Sequence, residues 1–74
     1  MPIIHIYSTE GWLSQEQKKA MIEKVTDAVV EVEGIPAVRE ITAVLIHEIA
    51  EGGWSFRGKV YNAKDYQQHQ PKIK

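Results

Sequence analysis

The residue of greatest chemical potential in this chain is Pro2, directly behind Met1 at the head of a strand-like run, MPIIHIY. Proline has no backbone N–H, so within a sheet it is confined to strand starts, edges and bulges. Position 2 therefore has two readings. It can simply open the first strand, or removal of Met1 can leave it a free secondary amine. That amine would be the α-amino group of the chain, which titrates nearer neutrality than lysine does. Other reactive groups are scarce. The absence of cysteine removes disulfides and thiolate metal ligands and fits a reducing compartment. His5, His47 and His69 lie far apart in sequence without short ligand spacing, so neither a metal nor an organic cofactor is expected.

The elements that must position Pro2 follow from periodicity. Residues 2–8, PIIHIYS, are β-branched and aromatic and predict a strand. Ile4 and Ile6 share one face, and Ile3, His5 and Tyr7 the other. Neither face is strongly polar, so both are expected to be covered, one by a helix and one by a neighbouring subunit. Ser14 is a good N-cap, and Gln17 three residues later completes a capping box. From there Met21, Val25, Ala28 and Val32, with Ile22 and Val29, form an apolar stripe among charged positions. This predicts an amphipathic helix of about five turns, closed by Gly34 and followed by Pro36. Residues 41–50, ITAVLIHEIA, predict a second strand, and a helix of about 18 residues is long enough for a parallel crossover between the two. Alternation sends His47 and Glu48 to opposite faces. After EGG, the run WSFRGKVY reads as a short hairpin with Gly58 at its turn. The tail, residues 62–74, is a polar extension without clear period.

A chain of 74 residues is one small domain and marginal as a monomer. A lone βαβ unit plus a hairpin is too small a sheet for independent stability. With disulfides and metals set aside, oligomerisation is the remaining route. Two copies placed edge to edge would extend the sheet and leave its second face seeking a further partner. The net charge of −1 offers no basic field for nucleic acid. No segment approaches the roughly 20 apolar residues of a membrane span, and no charged leader precedes an apolar stretch. A cytoplasmic protein is expected.

This layout resembles the tautomerase superfamily, specifically the small 4-oxalocrotonate tautomerase-like subunits. The resemblance rests on Pro2 after Met1, the PIIHIY strand with Glu10-Gly11 at its end, the helix SQEQKKAMIEKVTDAV, Gly34-Ile35-Pro36 after it, and IHEIAEGGW closing the second strand. It runs from Pro2 to about Gly58. It implies an α+β, tautomerase/MIF-like βαβ fold with a short C-terminal hairpin, assembled as a hexamer, a trimer of dimers. It also implies that Pro2 acts as general acid and base, interconverting enol and keto forms of a small 2-oxo acid. The physics agrees, because an amine enclosed in an apolar pocket is held toward its neutral form, and a base poised near working pH suits proton shuttling.

Two positions depart from the family pattern. The arginine that commonly follows the Glu-Gly pair is replaced by Trp12 and Leu13, around an apparent one-residue insertion. The second family arginine, a carboxylate ligand at the start of the second strand, aligns with Ala43. Each lost fork-shaped clamp is a charge-assisted bond worth roughly 1.5–3 kcal/mol, so the family's dicarboxylate is not the expected substrate. Trp54 matches the family's aromatic wall, and Trp12 becomes a candidate pocket lining. The two aromatics favour an apolar or aromatic substrate such as an enol arylpyruvate. Arg57, in the hairpin, and Arg39, before the second strand, are candidates for binding a carboxylate. Two alternatives stand beside this reading. One is a superfamily hydratase or dehalogenase using protonated Pro2. The other is a non-catalytic subunit, or one member of a mixed assembly whose partner supplies the arginines.

Overall fold

A computed structural model describes residues 1–60, in the order β1 (Ile3–Thr9), α1 (Gln15–Glu33), a 3-10 helix (Pro36–Ile41), β2 (Ala43–Ile49), β3 (Ser55–Phe56) and β4 (Lys59–Val60). The polar extension predicted over 62–74 lies outside the described residues. β1 and β2 pair in parallel, from Ile3 opposite Ala43 to Thr9 opposite Ile49. The ladder continues one bond past each end: Ala43 N–H donates to the Pro2 carbonyl at 3.0 Å, and Glu10 N–H donates to the Ile49 carbonyl at 2.8 Å. Pro2, which lacks a donor but keeps its acceptor, thus starts the ladder in the one way open to it.

The helix begins where its cap dictates. Ser14 Oγ accepts from Gln17 N–H, and Gln17 Oε1 accepts from Ser14 N–H, so both halves of the capping box form. Gly34 closes α1 in the left-handed conformation, its N–H donating to the Val30 carbonyl. Lys18 Nζ pairs with Glu48 at 2.9 Å. Because Glu48 shares a strand face with Ile46 and Val44, that bridge identifies the face covered by α1: Ile4 and Ile6 of β1 with Val44 and Ile46 of β2. The opposite face carries Ile3, His5, Tyr7, Leu45 and His47 and is open in the single chain, with Ile3 56% and Tyr7 68% exposed.

Three details differ from the sequence reading. The second strand starts at Ala43 rather than Ile41, because Pro36 initiates a 3-10 helix that runs to Ile41. Its tight turns are fixed by Val38 N–H donating to the Ile35 carbonyl and by Thr42 Oγ1 donating to the Val38 carbonyl at 2.7 Å. The helical stripe lies on the predicted side through Met21, Ile22, Val25 and Val29, but Ala28 is exposed and Val32 is 85% exposed. Val32 lies two turns beyond Val25 on the same side of the helix, where the sheet has already ended. Finally, His5 and His47, forty-two positions apart, meet: His5 Nδ1 and His47 Nε2 are 2.7 Å apart and share a hydrogen bond.

Among the described residues only Val38 is buried. The apolar side chains between α1 and the sheet, Ile4, Ile6, Ile22, Val25, Val44 and Ile46 among them, are largely but not fully covered, as expected for so short a chain.

Candidate active site

The candidate residues gather at the two ends of β1. At its C-terminal end, Tyr7, Ser8, Thr9, Trp12 and Trp54 line a cleft of about 250 Å³. Trp12 is brought there by a tight turn in which its N–H donates to the Thr9 carbonyl at 3.0 Å. Trp54 arrives from the other strand, through a turn in which Gly53 N–H donates to the Ala50 carbonyl at 2.9 Å. A Cβ at position 53 would lie 2.9 Å from that same carbonyl oxygen, so the approach of Trp54 to β1 depends on glycine there. The Tyr7 ring stacks on His47 with centroids 4.6 Å apart, and His47 stacks on His5 at 4.9 Å. The hydrogen bond between the two imidazoles locks this ladder, and the ladder holds one wall of the cleft.

At the N-terminal end, Pro2 lies in an apolar groove of about 410 Å³ with Ile4, Ala28, Val29, Val32 and Glu33. Val29 and Val32 give it an apolar side, while Glu33 and the C-terminal end of α1 bring negative potential to the same rim. Ala43, the position aligned with the family's second arginine, sits beside Pro2 through its ladder bond and presents only a methyl group.

The two sites are separated by the length of β1, about 20 Å at 3.3 Å per residue. The structure therefore brings Trp12 and Trp54 together but leaves Pro2 of the same chain at the far end. The arginines line neither hollow. Arg39 Nη2 is bound to Asp27 Oδ1 at 2.6 Å on the exposed side of α1, a partner the sequence reading did not identify. Arg57 occupies the β3–β4 turn with positive φ of 56° beside Gly58 at 80°, and its guanidinium lies 5.6 Å above the Phe56 ring. Both turn residues have φ above zero, as in a type I′ turn, the geometry that matches strand twist in a two-residue hairpin. Sequence reasoning missed Glu33 and the exposed Val32 beside Pro2. Helical phase alone could have shown Val32, but not that the sheet stops short of it.

The fold agrees with comparisons to known proteins. The model of the tautomerase enzyme family matches residues 2–64. The chain belongs to that family. Its class is that of an isomerase. It is 47% identical over 58 residues to a 2-hydroxymuconate tautomerase of Comamonas testosteroni, covering 78% of this chain and 87% of that protein. A probable tautomerase of Bacillus cereus is 41% identical over 59 residues, covering 80% and 92%. Among solved structures, a 4-oxalocrotonate tautomerase isozyme from Methylibium petroleiphilum superposes with a TM-score of 0.69 at 41% identity, covering 85% of this chain and 94% of that one. YwhB, a homologue of 4-oxalocrotonate tautomerase, gives 0.69 at 34% identity, covering 80% and 92%.

Proposed function

We propose that this tautomerase works through Pro2, exposed as a secondary amine once Met1 is removed, on the enol and keto forms of a small 2-oxo acid. The amine takes the hydroxyl proton of the enol as the carbonyl forms, and the resulting ammonium returns a proton to the neighbouring carbon. The nitrogen ends as it began, and no net proton leaves. The observation that carries this reading is the family match beginning at residue 2, together with Pro2 lying in an apolar groove. Covering of this apolar groove by a neighbouring copy favours the neutral amine, whereas Glu33 and the helix terminus favour the ammonium. Both protonation states thus have support, which suits a group that must take up and release a proton in each turnover.

The active unit is a homo-oligomer, a hexamer built as a trimer of dimers in the cytoplasm. Since about 20 Å separates the two ends of β1, the wall over Pro2 is made by Trp54 and Trp12 of another copy. Arg57 is the carboxylate ligand in this reading: its hairpin follows Trp54 directly, and Arg39 is held by Asp27. The test begins with intact mass, to establish that Met1 is gone, and then follows ketonisation of phenylenolpyruvate by ultraviolet absorbance. Met-free protein no faster than its Pro2→Ala variant defeats the proposal.

A second reading, a subunit that needs a different partner to supply arginines, draws on Trp12 and Ala43 at the two clamp positions. Native mass spectrometry separates the two, since an active homohexamer has no need of such a partner.

A further inference from the structure

We infer that His5 and His47 form an acid-released latch on the wall of the Trp12–Trp54 cleft. With one hydrogen between its facing nitrogens, the pair holds Tyr7 in place at the cleft. Once both imidazoles are protonated, the pair parts and Tyr7 is let go. The inference stands apart from the proposed role of Pro2 and concerns the other end of β1.

Three observations carry it. First, the register makes His47 the middle ring. Tyr7 lies directly opposite His47, while His5, opposite Leu45, reaches it diagonally. The His47 ring is within 16° of parallel to Tyr7 and within 13° of His5. Second, His5 Nδ1 and His47 Nε2 are 2.7 Å apart, so one of them donates and the other must keep its lone pair. That spacing suits a hydrogen rather than a metal, since two imidazole nitrogens each bound to a tetrahedral zinc ion stand about 3.3 Å apart. Third, Tyr7 lines the cleft with Trp12 and Trp54 yet is 68% exposed. Among the described residues, His47 is the ring that fixes its position.

Protons added to this pair act in two steps. The first gives an imidazolium hydrogen-bonded to an imidazole, which keeps the bond and strengthens it. The second puts a hydrogen on both facing nitrogens. Two donors of like charge then confront each other with no acceptor between them, and the rings must part. Turning His47 away takes its face off Tyr7. Among the described residues, the rest of this sheet face is Ile3, Thr9, Ala43, Leu45 and Ile49, none of them charged, and Tyr7 is a phenol that stays neutral in acid. Glu48 projects to the α1 face, where it holds Lys18, and Glu10 and Glu51 stand beyond the strand ends. Imidazole is the side chain that changes charge between about pH 5 and 8, so the latch is closed at neutral pH and released toward the acid end. The unfolded chain takes both protons where the closed latch takes one. The latch therefore stabilises the fold at neutral pH, and that contribution is lost as pH falls.

The test uses the full chain and its two tryptophans, Trp12 and Trp54, both of which line the cleft. Titration with 3-phenylpropanoate is followed by fluorescence quenching at about pH 7.5 and about pH 5, for wild type, His5→Asn and His5→Leu. An asparagine amide reaches the place of Nδ1, keeps a hydrogen bond to His47 and takes no proton, whereas leucine does neither. Wild type is expected to match His5→Asn at the higher pH and to bind about fivefold more weakly than it at the lower. His5→Leu is expected to be weak at both. Pro2 and the carboxylates titrate alike in wild type and His5→Asn, so the difference between those two belongs to the pair. Nitrogen NMR reads the latch directly, as a scalar coupling between His5 Nδ1 and His47 Nε2 across the shared hydrogen, present at the higher pH and absent at the lower. No coupling near neutral pH, or the same pH dependence in wild type and His5→Asn, overturns the inference. So does a coupling that persists in acid while native mass spectra show the assembly coming apart, since the acid effect then lies between subunits. Should His5→Leu not fold, wild type and His5→Asn decide alone.

Discussion

The two ends of β1 differ in how far one chain can finish them. The Trp12–Trp54 cleft is assembled within the chain: a turn after β1, a glycine-dependent turn after β2 and the His5–His47–Tyr7 ladder all converge on it. The Pro2 groove, by contrast, is open. Its Val32 is 85% exposed and Met1 81%, so one chain by itself does not give Pro2 the apolar enclosure that a neutral amine needs. The difference lies in what each end draws on: the end with the two indoles is built by contacts within the chain, and the end with Pro2 is left open by it.

The sharpest way to break this comparison is to replace Pro2, the proposed base. Pro2→Ala is expected to lower kcat/KM by about 10²–10⁴-fold for aryl and dicarboxylate substrates alike, leaving the fluorescence titration of the cleft unchanged. Next is a charge on the open sheet face. Leu45→Arg alters neither hollow, yet it should dissociate the assembly in native mass spectra and reduce activity by tenfold or more. Activity retained in a monomer would mean that one chain suffices. Trp54→Ala should raise KM for the aryl enol by about tenfold with a smaller change in kcat, because a stacking surface lost from a binding wall weakens ground and transition states together. His47→Ala removes one hydrogen bond and two ring contacts from the ladder. A stability loss of about 1 kcal/mol by denaturant unfolding should accompany a few-fold weaker binding of 3-phenylpropanoate. Arg39→Ala is expected to be the smallest change. The pair with Asp27 is exposed on both sides, so about 0–1 kcal/mol of stability is at stake, and kcat/KM should not move.

What was legible in the sequence is what neighbours along the chain decide. The capping box of Ser14 and Gln17, the closing Gly34, the alternation that separates His47 from Glu48 and the hairpin around Gly58 each depend on residues within about four positions of one another, and each forms as read. The placement of Pro2 at the head of a strand was equally local. The candidate site was legible only in parts. Trp12 and Trp54 could be assigned to one pocket, but not the turns that bring them there nor the length of β1 that parts them from Pro2 of the same chain.

The sequence by itself settled the helix, the strands and their faces, because caps, turns and periodicity are contacts between near neighbours that hold in any context. Only the tertiary structure decided the register that sets Tyr7 opposite His47 and Ala43 beside Pro2, the length at which the sheet runs out beneath α1, and the ion partner of Arg39. Those depend on pairing segments forty residues apart, where a slip of one position would exchange the covered and open faces of the sheet.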